Sequence, residues 1–329
     1  MRQILVSLFG CLVLVAAIPM ASTAQQTFEV VGSRALGMGG AFVAVADDPT
    51  AVFWNPAGLA SGQPAGATIE WVRFRNGDRK GAAAAGPWQR SAKFVSLGTW
   101  PIGLSYADFD ETVLVADTAA GGLLARRFST RHYGATLLQT LTEGLVVGTT
   151  LKYIRGTLAS GPATGANAGE ALGAAPTPAQ TGDSKGVFDV DTSVMFDARV
   201  FRVGWTMRNL RSPRFEEPSG SAIELKRRSR IGLAVLPADG LIFAVDLDLN
   251  TADLPGGPSR MVAVGAEHML GSRLAVRGGA RWNLEGARAA VGSLGASFAL
   301  RPGAWLDGHV THGRAQGERG FGLALRAGW

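Results

Sequence analysis

From residue 66 to the C-terminus, apolar and polar side chains alternate in short runs separated by turn-forming residues. The stretch RLAVRGGARW (273–282) sets the pattern. Leu274, Val276 and Trp282 fall on one face of an extended strand, and Arg273, Arg277 and Arg281 on the other. Equivalent runs occupy 66–75, 89–98, 101–111, 130–141, 144–157, 186–198, 201–210, 222–236, 239–250, 259–268, 272–283, 287–299, 302–312 and 320–329. They predict about fourteen strands, an even number, each near the roughly 9–11 residues that a tilted membrane-crossing strand needs. Their connections alternate between short (TW at 99–100, TE at 142–143, PAD at 237–239, MLG at 269–271, RP at 301–302) and long, the longest being 160–185. Short turns at one rim and long loops at the other is the asymmetry of an outer-membrane barrel. The 160–185 insert has almost no apolar side chains and predicts a mobile loop without fixed structure.

The register tests which face points inward. If PAD closes a hairpin with Val235 opposite Leu241, then Leu233 faces Phe243 and Ile231 faces Val245. Arg230 then falls opposite Asp246 and Arg228 opposite Asp248. MLG treated likewise sets Glu267 opposite Arg273, and the 198–200 turn sets Arg208 opposite Asp189 or Asp191. Directly opposed unlike charges are favourable cross-strand pairs. They also occur on the solvated face of soluble sheets, so the pairs alone fit either a water-facing exterior or a polar lumen. The last strand, FGLALRAGW, adds weight to the lumen by setting Phe321, Leu323, Leu325, Ala327 and Trp329 on one face, where chain termini are usually frayed and polar. The expected fold is all-β: a transmembrane antiparallel barrel with its apolar face toward lipid and its charge pairs in the bore.

Composition agrees. Hydrophobic residues make up 47% and charged residues 18%, and 45 glycines are interleaved with Leu, Val, Phe and Trp, which suits many tight turns and crowded strands rather than disorder. The N-terminal stretch has Arg2 as a basic start, Ile4–Ala17 as an apolar segment and Ser22-Thr23-Ala24 as a small-residue site, a signal peptide cleaved after about Ala24. Cleavage removes the only cysteine, Cys11, and leaves 31 basic and 26 acidic residues, a net +5. So modest and scattered an excess, on an exported chain, argues against nucleic-acid binding. No later segment has 18 uninterrupted apolar residues, so an exported membrane protein of this sequence must cross as a closed barrel.

Residues 25–65 carry no strand alternation. Asp48-Pro49 is a helix start, the turn PTAVFW must end by Asn55, and Asn55-Pro56 repeats the start signal for PAGLA. Two such short capped turns cannot form a core and need something to pack against, and a wide barrel's lumen would serve.

The segment GMGGAFVAVADDPTAVFWNPAGLA resembles the N-terminal signature of the FadL-type outer-membrane transporters and the related PorV/PorQ-type proteins. LKYIRG (151–156), RNLRSPRF (208–215) and the aromatic end extend the resemblance over the mature chain. It implies a fourteen-stranded barrel with an N-terminal hatch at 25–65, a barrel proper at 66–329, residence in the bacterial outer membrane, and hand-over to the barrel assembly machinery through the strand ending at Trp329. In FadL-type members the cargo is a long-chain fatty acid or other hydrophobic compound; PorV/PorQ-like members assist secretion or surface attachment.

The candidate hatch and ligand-binding residues are Gly37, Gly39, Gly40, Phe42, Val43, Asp47, Asp48, Val52, Phe53, Trp54, Asn55, Pro56 and Ala57. Asn55-Pro56-Ala57 matches the family's hatch motif. Phe42, Val43, Val52, Phe53 and Trp54 are the candidates for an apolar pocket between hatch and wall, which a polar bore would need to carry greasy cargo. The chain is shorter than the better-known transporters, and its 160–185 loop lacks apolar residues for surface capture, which moves weight toward the PorV/PorQ-like side.

Other signals carry little. GMGGAF lacks the preceding strand and Lys-Ser/Thr of a phosphate loop. His309 and His312 fall on opposite strand faces, and no cysteine or carboxylate cluster at ligand spacing accompanies any histidine. No nucleophile-elbow serine accompanies Asp307 and His309. No catalytic residue, metal or cofactor is therefore expected.

Overall fold

The structure is a computed structural model that describes residues 30–76, 86–117, 122–165, 167–176, 184–216, 222–254, 257–285, 290–313 and 318–329. The predicted signal peptide, 1–24, lies outside the described residues. Fourteen strands form the wall: β1 (Ala65–Asn76), β2 (Trp88–Thr99), β3 (Ile102–Asp117), β4 (Gly122–Thr142), β5 (Leu145–Pro162), β6 (Lys185–Asp197), β7 (Phe201–Arg208), β8 (Arg228–Ala238), β9 (Leu241–Asp248), β10 (Met261–Leu270), β11 (Leu274–Asn283), β12 (Ala290–Arg301), β13 (Ala304–Gly313) and β14 (Glu318–Gly328). Each pairs antiparallel with its neighbour, and β1 pairs with β14 from Gly66↔Gly328 to Asn76↔Glu318, which closes the barrel. Closure leaves no sheet edge with unpaired backbone groups.

Period-two patterning puts the two chemistries on opposite sides of this wall. Outward-facing Leu294 and Leu137 are 66% and 62% exposed, whereas Arg230 and Asp248 in the bore are each 1% exposed. A soluble protein has this arrangement the other way round. An apolar exterior around a polar interior is the surface of a barrel that hydrocarbon wets.

The short turns refine the predicted register. Gly144, Gly240 and Gly303 have φ of 73°, 73° and 79°, so the turns are Glu143-Gly144, Asp239-Gly240 and Pro302-Gly303 rather than TE, PAD and RP. Between β8 and β9 the ladder shifts between Val235 and Ala238. Pro237, without an N–H, sits in this irregularity, where no ladder bond is lost. The consequence is a two-residue slip that keeps each side chain on its predicted face but changes its partner. Val235 faces Phe243, Leu233 faces Val245 and Arg230 faces Asp248. The expected pairing of Arg230 with Asp246 is thereby corrected. Glu267 opposite Arg273 is corrected in the same way: Leu270 pairs with Leu274, the turn takes up Gly271–Arg273, and Glu267 meets Arg277.

Two extensions depart from the sequence reading. The run 222–236 is not one strand; Ala222–Glu224 pairs with Arg214–Glu216 in a separate hairpin. Its Phe215, Ile223 and Leu225 pack with Phe128, Ile154 and Leu158 of the inner wall. The 160–185 insert, expected to lack structure, contains helix α3 (Ala168–Gly173), capped by the Asn167 side chain accepting from Glu170 N at 3.0 Å. Ala171, Leu172 and Ala175 pack on Leu114 and Ala125. Small alanines supply enough apolar surface because the cross-strand pair Leu114↔Ala125 faces them.

Candidate functional site

Within the barrel, residues 30–64 form a plug. Helix α1 (Ser33–Gly37) is followed by Gly39-Gly40, then helix α2 (Ala51–Trp54) and a 3₁₀ turn (Pro56–Ser61). Asp48 accepts from Thr50 N at 2.9 Å, but the helix itself starts at Ala51, later than Asp48-Pro49 suggests. Asn55, ahead of Pro56, is extended (φ −155°, ψ 93°), as the proline ring requires. Its amide does not cap the following turn; it donates to Val43 O (2.8 Å) and to Val194 O (3.2 Å) of β6.

The plug touches the wall backbone to backbone. Gly39 and Gly40 have φ of 72° and 89°, a region other residues rarely adopt. A Cβ on Gly39 would also lie 2.6 Å from Ala280 N of β11. On the wall, a Cβ on Gly148 would lie 2.5 Å from Ala57 N, and one on Gly279 would overlap Met38.

Polar pins complete the attachment. Glu70 of β1 accepts from Gly32 N (2.6 Å) and from Ser33 N. Asp246 of β9 accepts from Phe42 N and Val43 N, both at 2.9 Å, and Ser193 of β6 accepts from Ala57 N at 2.9 Å. Arg34 is the centre of the largest network. Its guanidinium grips Glu267 of β10 through Nε (2.9 Å) and Nη2 (2.7 Å), and also reaches Asp47 (2.5 Å) and Asp48 (3.1 Å). Burial opposes the charge on Arg34, but Asp47, Glu267 and Asp48 outweigh it and hold its pKa well above the ordinary arginine value. Arg277 supports Glu267 from behind at 2.8 Å, and Arg202 of β7 holds Asp47 at 3.1 Å.

Above the pins the bore has two unlike sides. Strands β5–β9 contribute charge. Lys152 bonds Asp189 (3.0 Å) and Asp191 (2.7 Å), Arg208 lies 3.6 Å from Asp191, and Arg228 (2.9 Å) and Arg230 (2.7 Å) both reach Asp248. Of the two partners open to Arg208, Asp191 is the one within reach, shared with Lys152, which also holds Asp189. Strands β1–β3 line the other side with Val72, Phe74, Trp88, Phe94, Phe109 and Val113, broken by the Arg90–Glu111 pair at 2.7 Å.

Phe53 joins plug to apolar side. Its ring centroid is 6.1 Å from Phe94 and 6.0 Å from Phe109. From the charged side, the Arg208 guanidinium stacks 3.7 Å above the ring, a cation–π contact. Among the five candidate pocket residues, Phe42, Val43 and Trp54 have no exposed surface and form the plug's own core; Val52 retains 3% and Phe53 7%. Phe53 is the candidate that packs directly on the wall aromatics. At the short-turn rim a cavity of about 520 Å³ lies between Asp47, Asp48 and Leu59 of the plug and Arg326 and Trp329 of the wall.

The sequence reading missed the inner-wall aromatics, although a signal was present. In WQRSAKFVSLG, Trp88 and Phe94 share the phase of Arg90, while Val95 and Leu97 hold the opposite phase. A strand apolar on both faces has apolar neighbours on both.

No curated protein matches the chain in sequence. A protein-family model described as F plasmid transfer operon, TraF, protein matches residues 119–248, less than half of the chain. Solved structures align over nearly its full length. The CymD monoaromatic hydrocarbon channel is 13% identical, with 91% of this chain and 98% of that one covered and a TM-score of 0.66. The toluene transporter TbuX of Ralstonia pickettii is 14% identical, with 92% and 99% covered and a TM-score of 0.62. A FadL homologue of Pseudomonas aeruginosa is 10% identical, with 93% and 99% covered and a TM-score of 0.62. The chain thus has the fold of the FadL-type hydrophobic-compound channels: a closed fourteen-stranded barrel with short helical turns at its N-terminal end.

Proposed function

We propose that the protein is an outer-membrane channel for hydrophobic or amphipathic small molecules, fatty-acid-like or monoaromatic, that pass between the Phe53 face of the plug and the apolar side of the bore. The observation that carries this reading is the Phe53–Phe94–Phe109 cluster, where the plug meets the apolar side of a bore whose other side is charged. The names of the neighbours, a hydrocarbon channel and a toluene transporter, support the same cargo class. Export by a cleaved signal peptide and delivery to the assembly machinery through β14 belong to this proposal.

Phe53→Asp is the test. Losing the ring removes roughly 1.5–3 kcal/mol of apolar burial and sets a carboxylate in the path, so affinity for an apolar probe falls at least about tenfold. Fluorescence titration of the detergent-purified protein with N-phenyl-1-naphthylamine and with a fluorescent fatty acid distinguishes the two cargo types. Phe53→Leu, which stays apolar, keeps binding within a few-fold. Equal binding by the aspartate variant and the wild type removes this path.

The transfer-operon match over 119–248 supports a second reading: a PorV/PorQ-like barrel whose long loops hold a secretion or surface-attachment partner while the plug stays shut. That reading expects no probe binding, and capture of an exported protein that disappears when residues 167–176 are deleted.

A further inference from the structure

The outer wall carries a second organised surface, distinct from the bore. Hydrogen-bonded register lays three successive rows across β2–β5. The lowest is apolar: Leu97↔Leu104↔Ala135↔Leu151. The next is Val95↔Tyr106↔Tyr133↔Tyr153, continued by Phe188 on β6. It holds all three tyrosines of the chain, with ring centroids 5.4, 6.4 and 5.1 Å apart from Tyr106 through to Phe188. The third row, one step toward the long loops, is Lys93↔Asp108↔Arg131↔Arg155.

This sequence of rows matches the profile of a leaflet. Hydrocarbon meets Leu, the amphipathic interface meets Tyr, and the headgroup level meets cations. Lys93, Arg131 and Arg155 are exposed. Among the described residues, none of the three lies within ion-pair distance of a carboxylate, Asp108 included; Arg155 donates to Ser184 Oγ at 2.8 Å. Every bore arginine discussed above, by contrast, has an acidic partner. The outward-facing positions of β7–β11 carry no lysine or arginine, whereas Arg73 and Arg75 of β1 and Arg319 of β14 are exposed beside β2, so the basic positions run along the wall from β14 to β5 and leave β7–β11 without them. Beneath it, the Leu and Tyr rows border a groove of about 500 Å³ floored by Ser96, Ser105 and Gly134.

We propose that this sector binds a phosphorylated lipid of the surrounding leaflet, with its phosphate on Lys93, Arg131 and Arg155 and an acyl chain in the groove below the tyrosines. Acyl chain and phosphate are thereby matched in order and on adjoining rows. The site rests on the barrel being embedded in a bilayer, as proposed above, but not on transport. Loss of probe binding in the Phe53 variant would leave it intact.

The experiment is native mass spectrometry of the detergent-purified full chain with lipid A, a bis-phosphorylated glycolipid, and with its dephosphorylated form. Wild-type protein is expected to retain lipid A and to release the dephosphorylated lipid, and inorganic phosphate is expected to compete poorly because it lacks the acyl contact. In a Lys93→Gln, Arg131→Gln, Arg155→Gln triple variant, retention falls by about fivefold per charge, on the order of a hundredfold in all. The matched control removes three exposed charges from the short-turn rim, Arg199→Gln, Arg273→Gln and Arg301→Gln, and is expected to leave retention unchanged. Equal loss in both triple variants, or equal retention of the two lipids by the wild type, overturns the proposal. The wild-type comparison keeps the test decisive even if a variant fails to fold.

Discussion

Arg34→Ala is expected to free the plug more than any other single substitution within it. The guanidinium is shared by Glu267, Asp47 and Asp48; Asp48 and Glu267 are buried while the plug is seated, and Asp47 is partly exposed at the short-turn rim. Removing the cation leaves like charges facing one another, and breaking a buried ion pair from one side costs about 3–5 kcal/mol. Some of that is relieved, because Arg277 still holds Glu267 and Arg202 still holds Asp47. Even the lower figure shifts the balance between seated and released plug by roughly a hundredfold. The wall should survive, since its hydrogen bonds run strand to strand and do not pass through Arg34. The expected result is higher ion conductance in planar bilayers and new protease cleavage within 30–64, with the barrel still migrating as a folded species on unheated gels. Arg34→Lys keeps the charge but loses the two-pronged grip on Glu267, and should fall between. If conductance and cleavage are unchanged in the alanine variant, the plug is held by backbone packing against the wall glycines and the ion network is incidental.

The same network marks where reading the sequence stops. All fourteen strands, their faces and the short-turn rim were legible, because a side-chain period of two survives any error in register. Partners were not. Two residues of slip at Pro237 moved Arg230 from Asp246 to Asp248 without moving any side chain across the wall. Asp246 and Glu267 were then spoken for by Phe42, Val43 and Arg34, more than 200 residues away in sequence, and no local pattern announces such a contact. The apolar candidates of the plug were legible as a group but not by role. Trp54 turns onto Phe42 and both became the plug's own core, whereas Phe53, next to Trp54 on the same helix, packs outward on Phe94 and Phe109 of the wall. α3 escaped because its apolar surface is nearly all alanine, which composition alone does not separate from a loop.

Leu294→Arg tests the claim on which both functional readings depend, that the apolar exterior meets hydrocarbon. Leu294 lies in the middle region of β12, between Gly278 of β11 and Val310 of β13, and is 66% exposed. It makes few contacts to lose, so in water the arginine would be close to neutral or even favourable to solubility, within about 0.5 kcal/mol. In a bilayer, an arginine on the lipid face near the midplane costs about 2–4 kcal/mol, falling toward zero near the interfaces. Leu294→Ala separates the loss of the side chain from the gain of charge and should cost less than the arginine. Equilibrium unfolding by guanidinium in phosphatidylcholine vesicles gives the difference directly: the arginine midpoint is expected to drop well below both the wild type and the alanine variant. The depth dependence supplies a second check. The same substitution at Leu300, close to the short-turn rim and 57% exposed, should cost less than at Leu294. Equal stability of wild type and both arginine variants would mean that water, not lipid, surrounds the wall. In that case the rows of leucine, tyrosine and arginine on β2–β5 would describe a solvated face, and the charged bore would be the interior of a protein that never enters a membrane.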